Sequence, residues 1–444
     1  MPMACRSPTS WWMASGRCAT ATWSSQMRPH FRPVARPRAR RFGTGSKPRA
    51  ISRPCRAAER PGPRPLPGKA PRHRRCHQEG FALTIDRRRF LTSTGTALVA
   101  GAMTGQHAWS QQSAPATGED FVIETVTGPL DPAEVDWALA HEHLHGDFSG
   151  SNPRMWRSLP EGEEEPVYGD LDWTVVTGAA INAVNEVKAY GVNLIVDYSP
   201  SGVGRNSRML REVSRRTGVA IVAASGLYRT AWGIPAELAD YDSDQLAAHF
   251  VRELTQGTEG TSIRAGFIKL SVGNDGPLPH DEVVYRGAAR ASNETGSTIG
   301  IHAIMPDAFR AAARILEDEQ LDFSRFIWAH AGRDGTVDFE VFREFADRGV
   351  YISFDGVTHR GTPTDEQLLD LIGQFLEADL GHRILISADA TIAAHPPAAQ
   401  YASDIRYPYR FFKPQLEERH GGEVARMILR DNVVQAYRRG DRIG

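Results

Sequence analysis

From Phe121 to the C-terminus, short apolar and β-branched runs alternate with stretches of helical period, and this alternation restricts the possible folds more than any other feature. Strand signals fall at residues 138–143, 194–199, 220–226, 266–272, 298–303, 326–330, 351–357 and 384–389. Helix signals stand between them. Thr364-Asp365-Glu366-Gln367 reads as a capping box, with Leu368, Leu369, Ile372, Phe375 and Leu376 following on one face. Pro306 suits a first helical turn, and Gly296 and Gly349 suit helix stops. Eight strand–helix units of roughly 25 to 35 residues predict an α/β protein with a single-domain (β/α)8 TIM barrel. No glycine-rich phosphate loop follows any strand, which weighs against an open dinucleotide-binding sheet.

The barrel is expected within residues 111–444, because the chain before it has a different composition. Residues 1–80 hold 16 Arg and 2 Lys against only Glu59 and Glu79, whereas residues 81–444 hold 34 basic and 51 acidic residues. The leading segment shows neither strand nor helix period, so residues 1–85 are read as disordered and Arg/Pro-rich. A start codon placed too far upstream would give the same composition, and the segment is assigned no function. Next, Arg87-Arg88-Arg89-Phe90-Leu91 precedes an apolar stretch, 95–105, and a small-x-small exit at Ala108-Trp109-Ser110. This resembles a bacterial twin-arginine signal over residues 86–110, implying a periplasmic or secreted protein starting near Gln111. The stretch is shorter than the ~18 residues of a spanning helix, so stable membrane insertion is not expected. The acidic mature region likewise argues against a nucleic-acid partner.

All four cysteines, Cys5, Cys18, Cys55 and Cys76, lie before the barrel, which excludes a disulfide framework, a thiolate metal site or a cysteine nucleophile there. Catalytic groups of such barrels sit where strands end. The first strand ends in His141-Glu142-His143, the fourth carries Lys269, the fifth His302, the sixth His330 and the eighth Asp389. A His-x-His pair on a strand puts both imidazoles on one face, where they can share a cation. Singly, each histidine reads more readily as a hydrogen-bonded core residue; four at strand ends of one barrel, with an aspartate, point to metal. Burial and nearby cations favour the neutral amine of Lys269, which can take up carbon dioxide as a carbamate able to bridge two divalent ions. The competing reading is a lysine that snorkels or pairs with a carboxylate.

Together these segments resemble the phosphotriesterase family of the amidohydrolase superfamily. The motifs are Val126-Thr127-Gly128-Pro129, Ala140-His141-Glu142-His143-Leu144, Gly204-Arg205, Ala224-Ser225-Gly226-Leu227, Ile263-Arg264-Ala265-Gly266-Phe267-Ile268-Lys269 and Ile384-Leu385-Ile386-Ser387-Ala388-Asp389. The resemblance implies a binuclear centre, usually zinc. His141, His143 and Asp389 would hold the more buried ion and His302 and His330 the more exposed one. N6-carboxylated Lys269 would bridge them together with a hydroxide. Two ions about 3.5–4 Å apart bring the pKa of a bridging water down toward neutrality, and Asp389 would be placed to take its proton. The implied substrates are small-molecule phosphotriesters, carboxylic esters or lactones. Two alternatives are a lactonase with incidental phosphotriesterase activity and a metal-binding barrel without turnover. A homodimer is one expectation for assembly.

Two positions depart from the family pattern. An aspartate usually stands three residues after the strand-six histidine, where this chain has Arg333, with Asp334 one later. A basic residue often follows the strand-seven aspartate, but Asp355 is followed by Gly356, leaving a wall for His359 or Arg360 to replace. Tyr228 and the aromatic segment with Tyr401, Tyr407, Tyr409, Phe411 and Phe412 are candidates to line the substrate pocket, although rings in such a segment also serve to pack it onto the barrel. The acidic run at 161–165 reads as solvated surface.

Overall fold

The computed structural model describes residues 121–147, 155–156, 172–232, 234–359, 361–395 and 403–440. The expectations for 1–85, 86–110, 161–165, Arg360 and Tyr401 lie outside the described residues. Eight parallel segments form the barrel: β1 Trp137–Glu142, β2 Val192–Asp197, β3 in two pieces (Ala220–Val222 and Ala224–Gly226), β4 Phe267–Ser271, β5 Ile299–His302, β6 Phe326–Ala329, β7 Tyr351–Phe354 and β8 Ile384–Ile386. Helices follow the strands: α1 Trp173–Lys188, α2 Ser207–Thr217, α3 Ser243–Thr255, α4 Pro279–Thr295, α5 Pro306–Asp318, α6 Phe339–Ala346 and α7 Asp365–Glu377. Thr364 caps α7 through the expected box, and Gly296, at φ 71°, ends α4.

The barrel closes in two places by changes of partner. The first piece of β3 pairs with β2 and the second with β4, with the break at Ala223. Chain beyond β8 then meets the end of β1, where Asp389 N–H donates to the His141 carbonyl (3.1 Å) and His143 N–H to the Ala390 carbonyl (2.9 Å). Alternation sorts the strand residues: Leu194, Val196, Val222, Phe267, Ala329 and Leu385 fill the interior, while Ile195, Ile221, Ile268, Ile301, Trp328 and Ile352 pack against the helices.

β1 breaks that alternation where the chemistry begins. Leu139 is opposite Ile195 but Glu142 is opposite Asp197, so the strand holds one extra residue. Ala138 and Ala140 belong to the interior cluster below this bulge. Above it His141 and His143 face inward and Glu142 turns toward β8, an example of a bulge re-aiming side chains.

Seven of the eight strands end one to three residues earlier than the apolar runs suggest, and the third ends at Gly226 as expected. β7 stops at Phe354 and β8 at Ile386, because Asp355 and Ser387–Asp389 leave the ladder and bond with side chains of the site. The C-terminal aromatic segment also resolves. Tyr409 and Phe412 are buried, and the Tyr409 hydroxyl donates to the Ala138 carbonyl (2.6 Å) at the start of β1. That is the opposite end of the barrel from the strand-end histidines, so this ring packs the C-terminal segment onto the barrel. Among the described residues, no helix is long and apolar enough to cross a membrane.

Candidate metal centre

His141, His143, Lys269, His302, His330 and Asp389 come together at the C-terminal mouth of the barrel. Asp389 Oδ1 lies 3.3 Å from both His141 Nε2 and His143 Nε2, and these three ligand atoms form one compact triad. The His302 and His330 rings stand 4.3 Å apart, and His330 lies 4.9 Å from His141. His141 is fully buried whereas His302 is partly exposed, so one side of the cluster faces the mouth.

Three of the four imidazoles have Nδ1 engaged from behind. His141 Nδ1–H donates to Asp355 Oδ2 (2.9 Å) and His330 Nδ1–H to Asp355 Oδ1 (2.7 Å). Ser199 gives its hydroxyl proton to the His145 carbonyl (2.7 Å), so its oxygen accepts from His143 Nδ1–H (2.8 Å). Tyr228 is hydrogen-bonded to His302 Nδ1 at 3.1 Å. For His141, His143 and His330 these Nδ1 bonds fix the tautomer and leave Nε2 as the basic atom, the support that metal-ligating histidines have. Burial pulls His143 and His330 down to about 4, so both are neutral near pH 7 and able to donate a lone pair.

Lys269 has its Nζ buried without a hydrogen-bond partner, 4.5 Å above the Tyr198 ring. Burial pulls its ammonium down to about 7 against the attraction of Asp355 and Asp389, so a large fraction is neutral amine at physiological pH. Tyr198 forms the floor of the site, stacked on His141 at 3.6 Å and hydrogen-bonded to Tyr437 below. Gly300 on β5 makes room for it, since a Cβ there would stand 2.9 Å from the Tyr198 hydroxyl. The buried Lys269 amine and the inward Nε2 atoms fit a pair of divalent cations.

Backbone strain accompanies two of these groups. His330 (φ 69°) and Asp389 (φ 48°) adopt left-handed conformations, each costing on the order of 1–3 kcal/mol for a non-glycine residue. At β6 this turn is required: Ile327 and Ala329 face inward, so regular alternation would send His330 outward. Glu142 holds the strained end of β8. Its carboxyl accepts from Ser387 Oγ (2.7 Å), Ala388 N–H (3.0 Å) and Ala390 N–H (2.7 Å). Glu142→Ala, leaving three buried donors unsatisfied, is expected to cost roughly 3–9 kcal/mol, at about 1–3 kcal/mol each. Equilibrium guanidinium unfolding measures this, and a cost below 1 kcal/mol would deny Glu142 the clamping role.

The two departures at the pocket wall are linked. Arg333 Nη2 donates to Asp389 Oδ2 (2.8 Å) and to the Asp355 carbonyl (3.1 Å), and a Cβ on Gly356 would stand 2.9 Å from Arg333 Nε. The guanidinium therefore fills the wall beside Gly356. His359 meets Tyr407 edge-on (4.5 Å) and Phe411 at a tilt (5.1 Å), while Arg333 takes the space beside Gly356. Sequence reasoning gave no role to Asp355, Ser199, Tyr198 or Glu142. Inward parity on β7, through Tyr351, Ser353 and Asp355, was the available signal for Asp355.

A family model described as Phosphotriesterase family matches residues 121–437. The phosphotriesterase homology protein of Escherichia coli is 28% identical over 305 residues, covering 68% of this chain and 97% of that protein. The aryldialkylphosphatase of Saccharolobus solfataricus is 30% identical over 230 residues, covering 51% and 68%. Among solved structures, a mutant of a PTE-like lactonase from Deinococcus radiodurans superposes with a TM-score of 0.60 at 27% identity, covering 71% of this chain and 99% of that one.

Proposed function

Because the chain belongs to the phosphotriesterase family and is a hydrolase acting on ester bonds, we propose that it cleaves phosphotriester, carboxylic ester or lactone bonds with two divalent ions, zinc by expectation. His141, His143 and Asp389 would hold one ion, His302 and His330 the other, and Lys269, as its carbamate, would lie between them. The observation that carries this reading is the common support of His141, His143 and His330, each bonded through Nδ1 to a carboxylate or hydroxyl behind it, beside His302 and around a buried amine without a partner. Bound there, such a pair supplies hydroxide near neutral pH and polarises the oxygen of the scissile group.

The protein's own groups do the rest. Burial opposes ionisation of Asp389, but Arg333, His141 and His330 outweigh it and hold the carboxyl well below the usual range. Its oxygens are divided: Oδ1 faces His141 and His143 and would join them in holding the ion, while Oδ2, oriented by Arg333, is the atom left to orient water and receive its proton. Tyr198 closes the floor against solvent from the barrel interior.

The test is hydrolysis of a phosphotriester, an aryl ester and a series of lactones by zinc-loaded protein, before and after chelation. Loss on chelation and recovery on reloading, with two ions per chain, are expected. Activity undiminished in metal-free protein would overturn the proposal. Lactones outpacing the phosphotriester by more than tenfold would favour the lactonase reading, which the Deinococcus neighbour supports. We also propose a periplasmic location, supported by the Arg87-Arg88 segment and the apolar stretch after it. N-terminal sequencing of the exported protein, with a start near Gln111 expected, checks this.

A further inference from the structure

We propose that Arg333 is a specificity-determining residue and that the preferred substrate carries an oxyanion, a carboxylate in the simplest case, beside its scissile ester; this rests on the hydrolase reading above. Nη2 of Arg333 is committed to Asp389 and to the Asp355 carbonyl. Nε is buried with no partner, and among the described residues Nη1 has no hydrogen bond. The side chain retains 31% of its exposure although Nε is sealed. This is a guanidinium with spare donors at the rim of a reactive centre.

The surroundings were cleared to hold it. Gly356 leaves the space the guanidinium occupies, and any larger residue there would meet Nε. Arg229, after β3, lies against Gly273 beyond β4, so a second cation follows Tyr228, which is itself bonded to His302. A neutral triester or a simple lactone would cover the Arg333 donors and offer them nothing, at the expense of losing their water. An oxyanion at Nη1, the nitrogen neither sealed nor committed, gains a charge-assisted bond in a partly dry site. Sites with buried donors discriminate strongly against analogues that lack the acceptor. In the reaction, water oxygen bonds to the acyl carbon, the acyl C–O bond breaks, and the alkoxide leaves with a proton; the remote anion is unchanged.

Mono-4-nitrophenyl glutarate, an anion, and its neutral methyl ester form the test pair, assayed with the full zinc-loaded chain. Wild type is expected to favour the anion by about 10- to 100-fold in kcat/KM, the range for one charged hydrogen bond. Arg333→Met should collapse that ratio toward one, and Arg333→Lys should restore part of it; a ratio unmoved by both variants would overturn the proposal. A KM-dominated change identifies binding, whereas an equal loss of kcat on both esters would assign Arg333 to Asp389 alone and also overturn it. Calorimetric titration of glutarate into the wild type, Arg333→Lys and Arg333→Gln needs no turnover and separates the two claims. If no ester, phosphotriester or lactone is cleaved, the hydrolase reading fails, while glutarate binding that weakens tenfold or more in Arg333→Gln still supports the oxyanion site. Equal binding by wild type and variants, or none by wild type, refutes it.

Discussion

Lys269→Met is expected to lower kcat/KM by about three orders of magnitude or more and to reduce bound divalent ions from two per chain to one or none. Methionine is nearly isosteric with lysine, so the substitution keeps the packing and removes the amine. The residue is 1% exposed, and its Nζ makes no hydrogen bond. Its neighbours in the ladder are Gly226 and Gly300, and a Cβ on Gly226 would overlap the Lys269 carbonyl, so the backbone here is tightly packed. A buried amine without a partner costs stability unless it serves a bound group. The fold should therefore survive the change, and thermal stability of the metal-free variant should equal or exceed that of metal-free wild type. Elemental analysis and kinetics of the loaded variant decide the matter. Two ions per chain with activity within tenfold of wild type would remove Lys269 from the centre.

Asp355→Asn is expected to weaken both ions about 10- to 100-fold and to destabilise the protein by roughly 3–5 kcal/mol. Its carboxylate accepts from His141 Nδ1–H, His330 Nδ1–H and His330 N–H at 2.7–2.9 Å. Asparagine offers one oxygen and one amide, so at least one imidazole would meet a donor, change tautomer and carry its proton on Nε2. Since His141 and His330 are proposed to serve different ions, one substitution should loosen both. Chelator competition measures the first effect and denaturant unfolding the second. A pH series separates charge from shape. Burial opposes ionisation of Asp355, but His330 and His141 outweigh it and hold the carboxyl well below its ordinary value near 3.8. Its stabilisation is then complete above about pH 4 and fades as the pH falls through the lower folded value. The asparagine variant should lack that acid-side loss.

The strand-six and strand-seven departures, which looked independent along the chain, proved to be one arrangement. Arg333 and Gly356 lie 23 residues apart across the loop regions of β6 and β7, yet the glycine vacates the volume that the guanidinium takes. No periodicity marks such a pair, because it arises from two adjacent strand ends and not from a local pattern. The same holds for the outward Nδ1 partners. Ser199 and Asp355 look like ordinary strand-end polar residues until β1, β2, β6 and β7 are set side by side.

Alternation of apolar runs and capped amphipathic stretches was enough to determine eight strands, their order and the ends where chemistry sits, since local period and burial demand are properties of the linear chain. The His-x-His pair, Lys269, His302, His330 and Asp389 were legible for the same reason, as polar groups at ends of apolar runs. Tertiary structure alone decided which way those groups point. The extra residue in β1 turns His141 and His143 inward, and a left-handed backbone at His330 reverses a side chain that simple alternation would send outward. Such local departures are stable only because Glu142, Asp355 and the neighbouring strands hold them, and those contacts exist only once the barrel has closed.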